Sequence, residues 1–149
     1  MNAKNITIEG NTITCLSPKS VKDSPITIWG VAEDVFIQNN QFKVKDASGI
    51  YIKYIAKKDK GAKNIRIKGN TIQSMSGKNP AIYVESNETE LEITGNEIEY
   101  TIDKGNKAIE LKSFKAPLKH KQVITKNKYR NVTKEINIKE IKFSLPKKN

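Results

Sequence analysis

Hydrophobic and polar positions alternate with period two along nearly the whole chain, in short runs broken by bends, and a helical period is missing almost everywhere. The stretch KNIRIKGNTI (residues 63–72) alternates, breaks at Gly69-Asn70 and resumes. KNITIEGNTI (residues 4–13) says nearly the same thing. The phrase recurs as NITIEGNTI (5–13), DVFIQNNQF (34–42), NIRIKGNTI (64–72), ELEITGNEI (90–98) and, in degraded form, QVITKNKYR (122–130). Its bend asparagines are Asn11, Asn40, Asn70, Asn96 and Asn127, spaced by 29, 30, 26 and 31 residues. Between copies runs a second alternating strand: PITI (25–28), GIYI (49–52), AIYV (81–84), AIEL (108–111) and EINI (135–138). A period of 20–50 residues indicates a solenoid, and unequal steps mean loops of variable length at fixed corners.

Alternation assigns the faces. Before the bend, Ile6 and Ile8, Val35 and Ile37, Ile65 and Ile67, and Leu91 and Ile93 point inward. After it, Ile13 with Cys15, Phe42 with Val44, Ile72 with Ser74, and Ile98 with Tyr100 do the same. The second strand adds Ile26/Ile28, Ile50/Ile52, Ile82/Val84 and Ile109/Leu111. Three short strands per repeat, each with one apolar face, are satisfied by a chain that winds so that every strand pairs with its equivalent one turn later. The predicted fold is therefore all-β: a right-handed single-stranded parallel β-helix of about five coils. Residues 1–149 read as one such domain, with repeats near 4–28, 33–52, 63–84, 89–111 and 121–143. Stacking at ~4.8 Å per coil makes a rod roughly 25 Å long.

Five asparagines at equivalent corners read as a structural ladder. Asparagine tolerates the left-handed backbone of a sharp bend, and its amide can hydrogen-bond to neighbouring coils. The preceding residues, Gly10, Asn39, Gly69, Gly95 and Lys126, are mostly types that accept positive φ.

Charge changes the picture only in part. The 149 residues hold 27 Lys and Arg against 16 Asp and Glu, a net charge of +11. No basic residue falls between Asn79 and Asp103, while Glu85, Glu88, Glu90, Glu92, Glu97, Glu99 and Asp103 do. An acidic band flanked by basic ones serves pairing between neighbouring coils. The excess is lysine, with Arg66 and Arg130 the only arginines, which argues against a specific reader of nucleic acid. One cysteine, Cys15, and one histidine, His120, rule out an internal disulfide and a zinc site built on soft ligands, and no cofactor is expected. No apolar run approaches a membrane span, and MNAKNITIEG lacks the apolar stretch of a signal peptide.

The N-I-x-I-x-G-N-x-I unit resembles the repeat of the pectin-lyase-like β-helix superfamily, which includes polysaccharide lyases, polygalacturonases and phage tailspikes. The resemblance runs from residue 4 to about 143. It implies the fold and sends the search to that superfamily's catalytic patterns. Clustered aspartates with a nearby histidine are not found: Asp23, Asp34, Asp46, Asp59 and Asp103 share no outward column. Arg66-Ile67-Lys68 spells R-x-K on an outward face, but its rung neighbours are Phe36 and Glu92, so an ion pair with Glu92 is expected. Glu92 with Glu97 or Glu99 meets the spacing of a glycosidase pair, in a coil rich in solvated acids. His120 lies in the polar run KAPLKHKQ and reads as a loop residue.

The outward columns of the second strand carry the ligand expectation. One reads Thr27, Tyr51, Tyr83, Glu110, Asn137, and the next Trp29, Lys53, Glu85, Lys112, Lys139. Trp29, Tyr51 and Tyr83, with Lys53, are the candidate contacts for a polysaccharide or cell-surface glycan, because flat apolar rings with polar edges stack on sugars. A cross-strand aromatic pair is the competing reading, and Lys53/Glu85/Lys112 alternate as ion pairs would. The first repeat begins at Lys4 with no room for a capping helix, which predicts a homo-oligomer or a neighbouring domain over the N-terminal coil. Three functions follow as expectations. The first is a non-catalytic structural and carbohydrate- or surface-recognition module, in the phage-tail or cell-surface setting that the resemblance implies. The others are a polysaccharide lyase or hydrolase fragment, and a protein-binding module that uses its open end.

Overall fold

A computed structural model describes residues 3–18, 20, 23–29, 31–53, 62–86, 90–103, 105–113 and 122–140. The strands follow in threes. The first coil holds β1 (Ala3–Glu9), β2 (Thr12–Cys15) and β3 (Ile26–Trp29). Then come β4 (Ala32–Gln38), β5 (Gln41–Val44) and β6 (Ile50–Lys53), and β7 (Lys63–Lys68), β8 (Thr71–Ser74) and β9 (Ile82–Ser86). The last two coils hold β10 (Leu91–Thr94), β11 (Glu97–Tyr100) and β12 (Lys107–Ser113), and β13 (Gln122–Thr125), β14 (Lys128–Arg130) and β15 (Lys134–Glu140). Each strand pairs in parallel with the equivalent strand of the next coil, giving three five-stranded sheets: β1-β4-β7-β10-β13, β2-β5-β8-β11-β14 and β3-β6-β9-β12-β15. The fold is the expected parallel β-helix.

Register follows the alternation without a slip, because a one-residue shift would turn every isoleucine to solvent. Ile8, Ile37, Ile67, Ile93 and Ile124 form one inward column. Ile13, Phe42, Ile72, Ile98 and Tyr129 form another. In the middle coils these side chains are 0–3 % exposed. In the first coil Ile6, Ile8, Ile13 and Ile28 are only partly buried, as are Ile124 and Tyr129 in the last. Tyr100 is fully buried, and its hydroxyl lies 2.8 Å from the Asn79 carbonyl and 3.0 Å from that of Lys107.

The asparagine ladder is present, with a refinement. The left-handed residue at each corner is the one before the ladder asparagine: Gly10, Asn39, Gly69, Gly95 and Lys126, at φ between 54° and 68°. The ladder asparagines themselves stay out of that region and supply hydrogen bonds instead. Asn70 is typical. Its Nδ2 donates to the Ile37 carbonyl at 2.9 Å and to Asn96 Oδ1 at 2.9 Å. Its Oδ1 accepts from both the backbone N–H and Nδ2 of Asn40, each at 3.0 Å. Every amide hydrogen and both Oδ1 lone pairs are therefore engaged inside the stack.

A second left-handed column was not anticipated. Asn5, Asp34 and Asn64 have φ of 55°, 56° and 47°, and the pairing skips them in both strands at once, so the register is kept across the kink. Asn64 Nδ2 donates to Asp34 Oδ1, tying two coils together. The signal was the first asparagine of the repeated phrase itself, an Asx residue just ahead of an alternating run.

Candidate functional site

Outward positions of the third sheet form the columns that the alternation predicts. Thr27 faces Tyr51, Tyr51 faces Tyr83, Tyr83 faces Glu110, and Glu110 faces Asn137. The adjacent column runs Trp29, Lys53 and then Glu85 opposite Lys112.

Exposure along these columns departs from expectation. Tyr51 is only 3 % exposed although it points away from the core. Glu85 and Glu110 are 8 % and 6 % exposed on the same face. Tyr51 and Tyr83 stack with ring centroids 5.1 Å apart and planes at 6°. The cross-strand aromatic pair is thus realised, and Tyr51 is corrected from an exposed sugar platform to the buried support beneath half-buried Tyr83. Trp29, by contrast, is 55 % exposed, and Lys53 Nζ lies 4.1 Å from its ring centroid. That geometry uses the electron-rich ring face to hold a lysine in place.

The carboxylates of this face are compensated. Tyr83 Oη donates to Glu85 Oε1 at 3.2 Å, and Lys112 Nζ stands 3.8 Å from the same oxygen. Lys107 Nζ lies 3.0 Å from Glu110 Oε2. The expected Lys53/Glu85/Lys112 alternation is therefore half right among the described residues: Glu85 pairs with Lys112, while Lys53 goes to Trp29. Burial, and after it the Glu85 carboxylate, push the phenols of Tyr51 and Tyr83 well above the ordinary tyrosine range, and burial does the same to Tyr100.

These raised phenols have a measurable consequence. A phenol whose folded-state pKa is raised adds stability in full below the unfolded value, near pH ~10, and that stability is lost as pH climbs toward the folded value. Alkaline titration read by phenolate absorbance should show Tyr51, Tyr83 and Tyr100 still protonated above the ordinary tyrosine pKa of ~10, ionising together with loss of the far-UV β signal. Independent ionisation of all tyrosines near pH ~10 with the fold intact would contradict this placement.

The other sequence candidates fall elsewhere. Arg66 Nε lies 3.8 Å from Glu92 Oε2, and its guanidinium sits 5.2 Å from the Phe36 ring centroid, so the R-x-K motif is a surface pairing as expected. Glu92 is on the first sheet, whereas Glu97 and Glu99 lie past the corner on the second, with Glu99 3.3 Å from Arg130 Nη1. His120 and residues 141–149 lie outside the described residues. Among the described residues no three His, Cys, Asp or Glu side chains gather in a way that could hold a metal ion. A shallow groove of about 350 Å³ runs along the second sheet past Thr12, Gln41, Lys43, Thr71 and Gln73, and no aromatic ring turns outward there.

What sequence reasoning missed is the pair of buried outward carboxylates, Glu85 and Glu110. A residue at an outward β position carries no sequence signal of being covered. No curated protein and no solved structure matches the chain. A family model, the right-handed β-helix region, matches residues 1–115. With that match over most of its length and three parallel sheets stacked coil on coil, the chain belongs to the right-handed β-helix family.

Proposed function

We propose that the chain is a non-catalytic recognition module of a cell-surface or phage-tail kind, binding a glycan along the outer face of the third sheet. The observation that carries this reading is Trp29, more than half exposed on a rigid strand and flanked by Lys53. The indole face opposite Lys53 can stack on the apolar face of a sugar ring, and the lysine over the other face supplies hydrogen bonds to hydroxyls or a carboxylate at the ring edge. Half-buried Tyr83, one rung beyond Tyr51, extends the surface along the axis. Sheet strands hold these groups in place before the ligand arrives, so little ordering cost falls on binding.

Glycan-array screening followed by calorimetry tests the proposal. Trp29→Ala should weaken binding at least tenfold and Tyr83→Ala severalfold, while Tyr51→Phe should leave affinity unchanged. Equal affinity for Trp29→Ala and the parent chain would move the site elsewhere. The enzymatic reading has one observation behind it, the buried Glu85 and Glu110 on adjacent strands of this face. Each is held as a salt bridge, an arrangement that suits positioning rather than proton transfer. Turnover of an acidic polysaccharide by the isolated chain, lost in Glu85→Gln, would overturn the non-catalytic assignment.

A further inference from the structure

Three hydrogen bonds recur at the ladder corner between every consecutive pair of coils. The left-handed residue donates its N–H to a carbonyl of the next coil: Gly10 to Gln38, Asn39 to Lys68, Gly69 to Thr94 and Gly95 to Thr125, at 3.0–3.3 Å. The ladder asparagine donates its N–H to the next ladder Oδ1, from Asn11 through to Asn127, at 2.9–3.0 Å. In return its carbonyl accepts from the next coil: Gln41 on Asn11, Thr71 on Asn40, Glu97 on Asn70 and Lys128 on Asn96, at 2.8–2.9 Å. The set has a direction, so the two ends of the stack differ.

The first coil presents Thr12 N–H, Asn11 Oδ1 and the Glu9 carbonyl on the side away from the second coil. The fifth presents Lys126 N–H, Asn127 N–H and the Asn127 carbonyl on the side away from the fourth. Among the described residues no other coil meets these groups, the Glu9 carbonyl accepting at 2.9 Å from Asn11 Nδ2 of its own coil and keeping its second lone pair for a neighbour. Each group on one end is the missing partner of a group on the other. The apolar columns agree: Ile6, Ile8, Ile13 and Ile28 are partly buried at one end, Ile124 and Tyr129 at the other, and Ile138 is 52 % exposed. In continued register Lys128 would lie over Thr12, Arg130 over Thr14 and Thr125 over Glu9, so these outward neighbours are free of like charge.

We infer that the chain stacks end to end, the fifth coil of one copy docking on the first coil of the next. Lys126 N–H then meets the Glu9 carbonyl, Asn127 N–H meets Asn11 Oδ1, and Thr12 N–H meets the Asn127 carbonyl. A second copy fits because its first corner, Gly10-Asn11, is the same unit that each coil already accepts. The contact is head to tail and does not close, so it extends into linear stacks rather than stopping at a dimer.

Thr12 and Lys128 are outward and exposed, and within one molecule they stand four coils apart, roughly 19 Å at ~4.8 Å per coil. Between stacked copies they are neighbours. The full chain should sediment as a concentration-dependent series of multimers. In a Cys15→Ala background, the double variant Thr12→Cys/Lys128→Cys should give a covalent ladder with a short thiol crosslinker, and neither single variant should. Thr12→Pro removes one edge N–H where an edge strand tolerates proline, and should weaken association at least tenfold with the far-UV β signal kept. A monomer at every concentration, whether from another segment covering the end or from indifferent ends, would overturn the inference. So would crosslinking of Thr12→Cys alone, which indicates head-to-head contact.

Discussion

Replacing Asn70 by alanine should lower the unfolding free energy by on the order of 4 kcal/mol, since it strands several buried polar groups at once. Asn70 is 1 % exposed. Its loss leaves the Asn40 N–H and Nδ2 without their shared acceptor and the Ile37 carbonyl without its side-chain donor, while Asn96 Oδ1 keeps only the backbone N–H of residue 70. The corner is covered above and below by Asn40 and Asn96, which are themselves 1 % exposed. Asn11, at the exposed end of the same ladder, makes the comparison sharp. Its Nδ2 contacts Glu9 and Asn40, but water replaces those partners easily, so Asn11→Ala should cost less than about 1 kcal/mol. Urea unfolding of both variants with unchanged slopes measures the difference. If the two midpoints fall together, the ladder contributes little and the isoleucine columns alone hold the coils in register.

Gly105→Ala should be of similar size, about 3 kcal/mol, for a steric reason. A Cβ built there would lie 2.2 Å from Tyr100 Cγ, 2.5 Å from Tyr100 Cβ and 2.6 Å from the Asn131 carbonyl oxygen. Tyr100 has nowhere to go: it is fully buried, with its hydroxyl fixed between two carbonyls. The clash is with the root of the ring, so trimming the hydroxyl by Tyr100→Phe should not rescue the variant. For a chain of this size the loss corresponds to a melting temperature lower by roughly 10 °C. Gly95→Ala is the contrast, with nothing within 4 Å of its added Cβ but a φ of +64°. Backbone strain alone should cost it about 1 kcal/mol. Scanning calorimetry of the two separates packing from conformation, and equal shifts would mean that Tyr100 yields to the new methyl.

Much of the fold was legible in KNIRIKGNTI and its copies. Period two placed Ile65 and Ile67 inward and Arg66 outward, the copies placed Glu92 beside Arg66, and Gly69-Asn70 marked the corner. Such features repeat in every coil, and repetition makes a weak local signal strong. The division of labour at the corner was not legible, because glycine and asparagine both accept positive φ. Only the folded structure shows that the residue before the asparagine bends while the asparagine bonds. The left-handed Asn5, Asp34 and Asn64 were missed for a related reason: they sit inside a strand, where alternation alone shows no left-handed kink.

The candidate site was legible as a column and illegible as a surface. Sequence alone determined that Trp29, Tyr51, Tyr83, Glu85 and Glu110 project from one sheet, since pleating gives side-chain direction from position parity. It determined the stacking order as well, because each coil can pair only with its copies. Tertiary structure decided which of these groups meet solvent: Trp29 does, and Tyr51, Glu85 and Glu110 do not. Direction is a local property of the backbone, whereas exposure depends on everything else in the molecule that approaches from outside, and no period in the sequence encodes that.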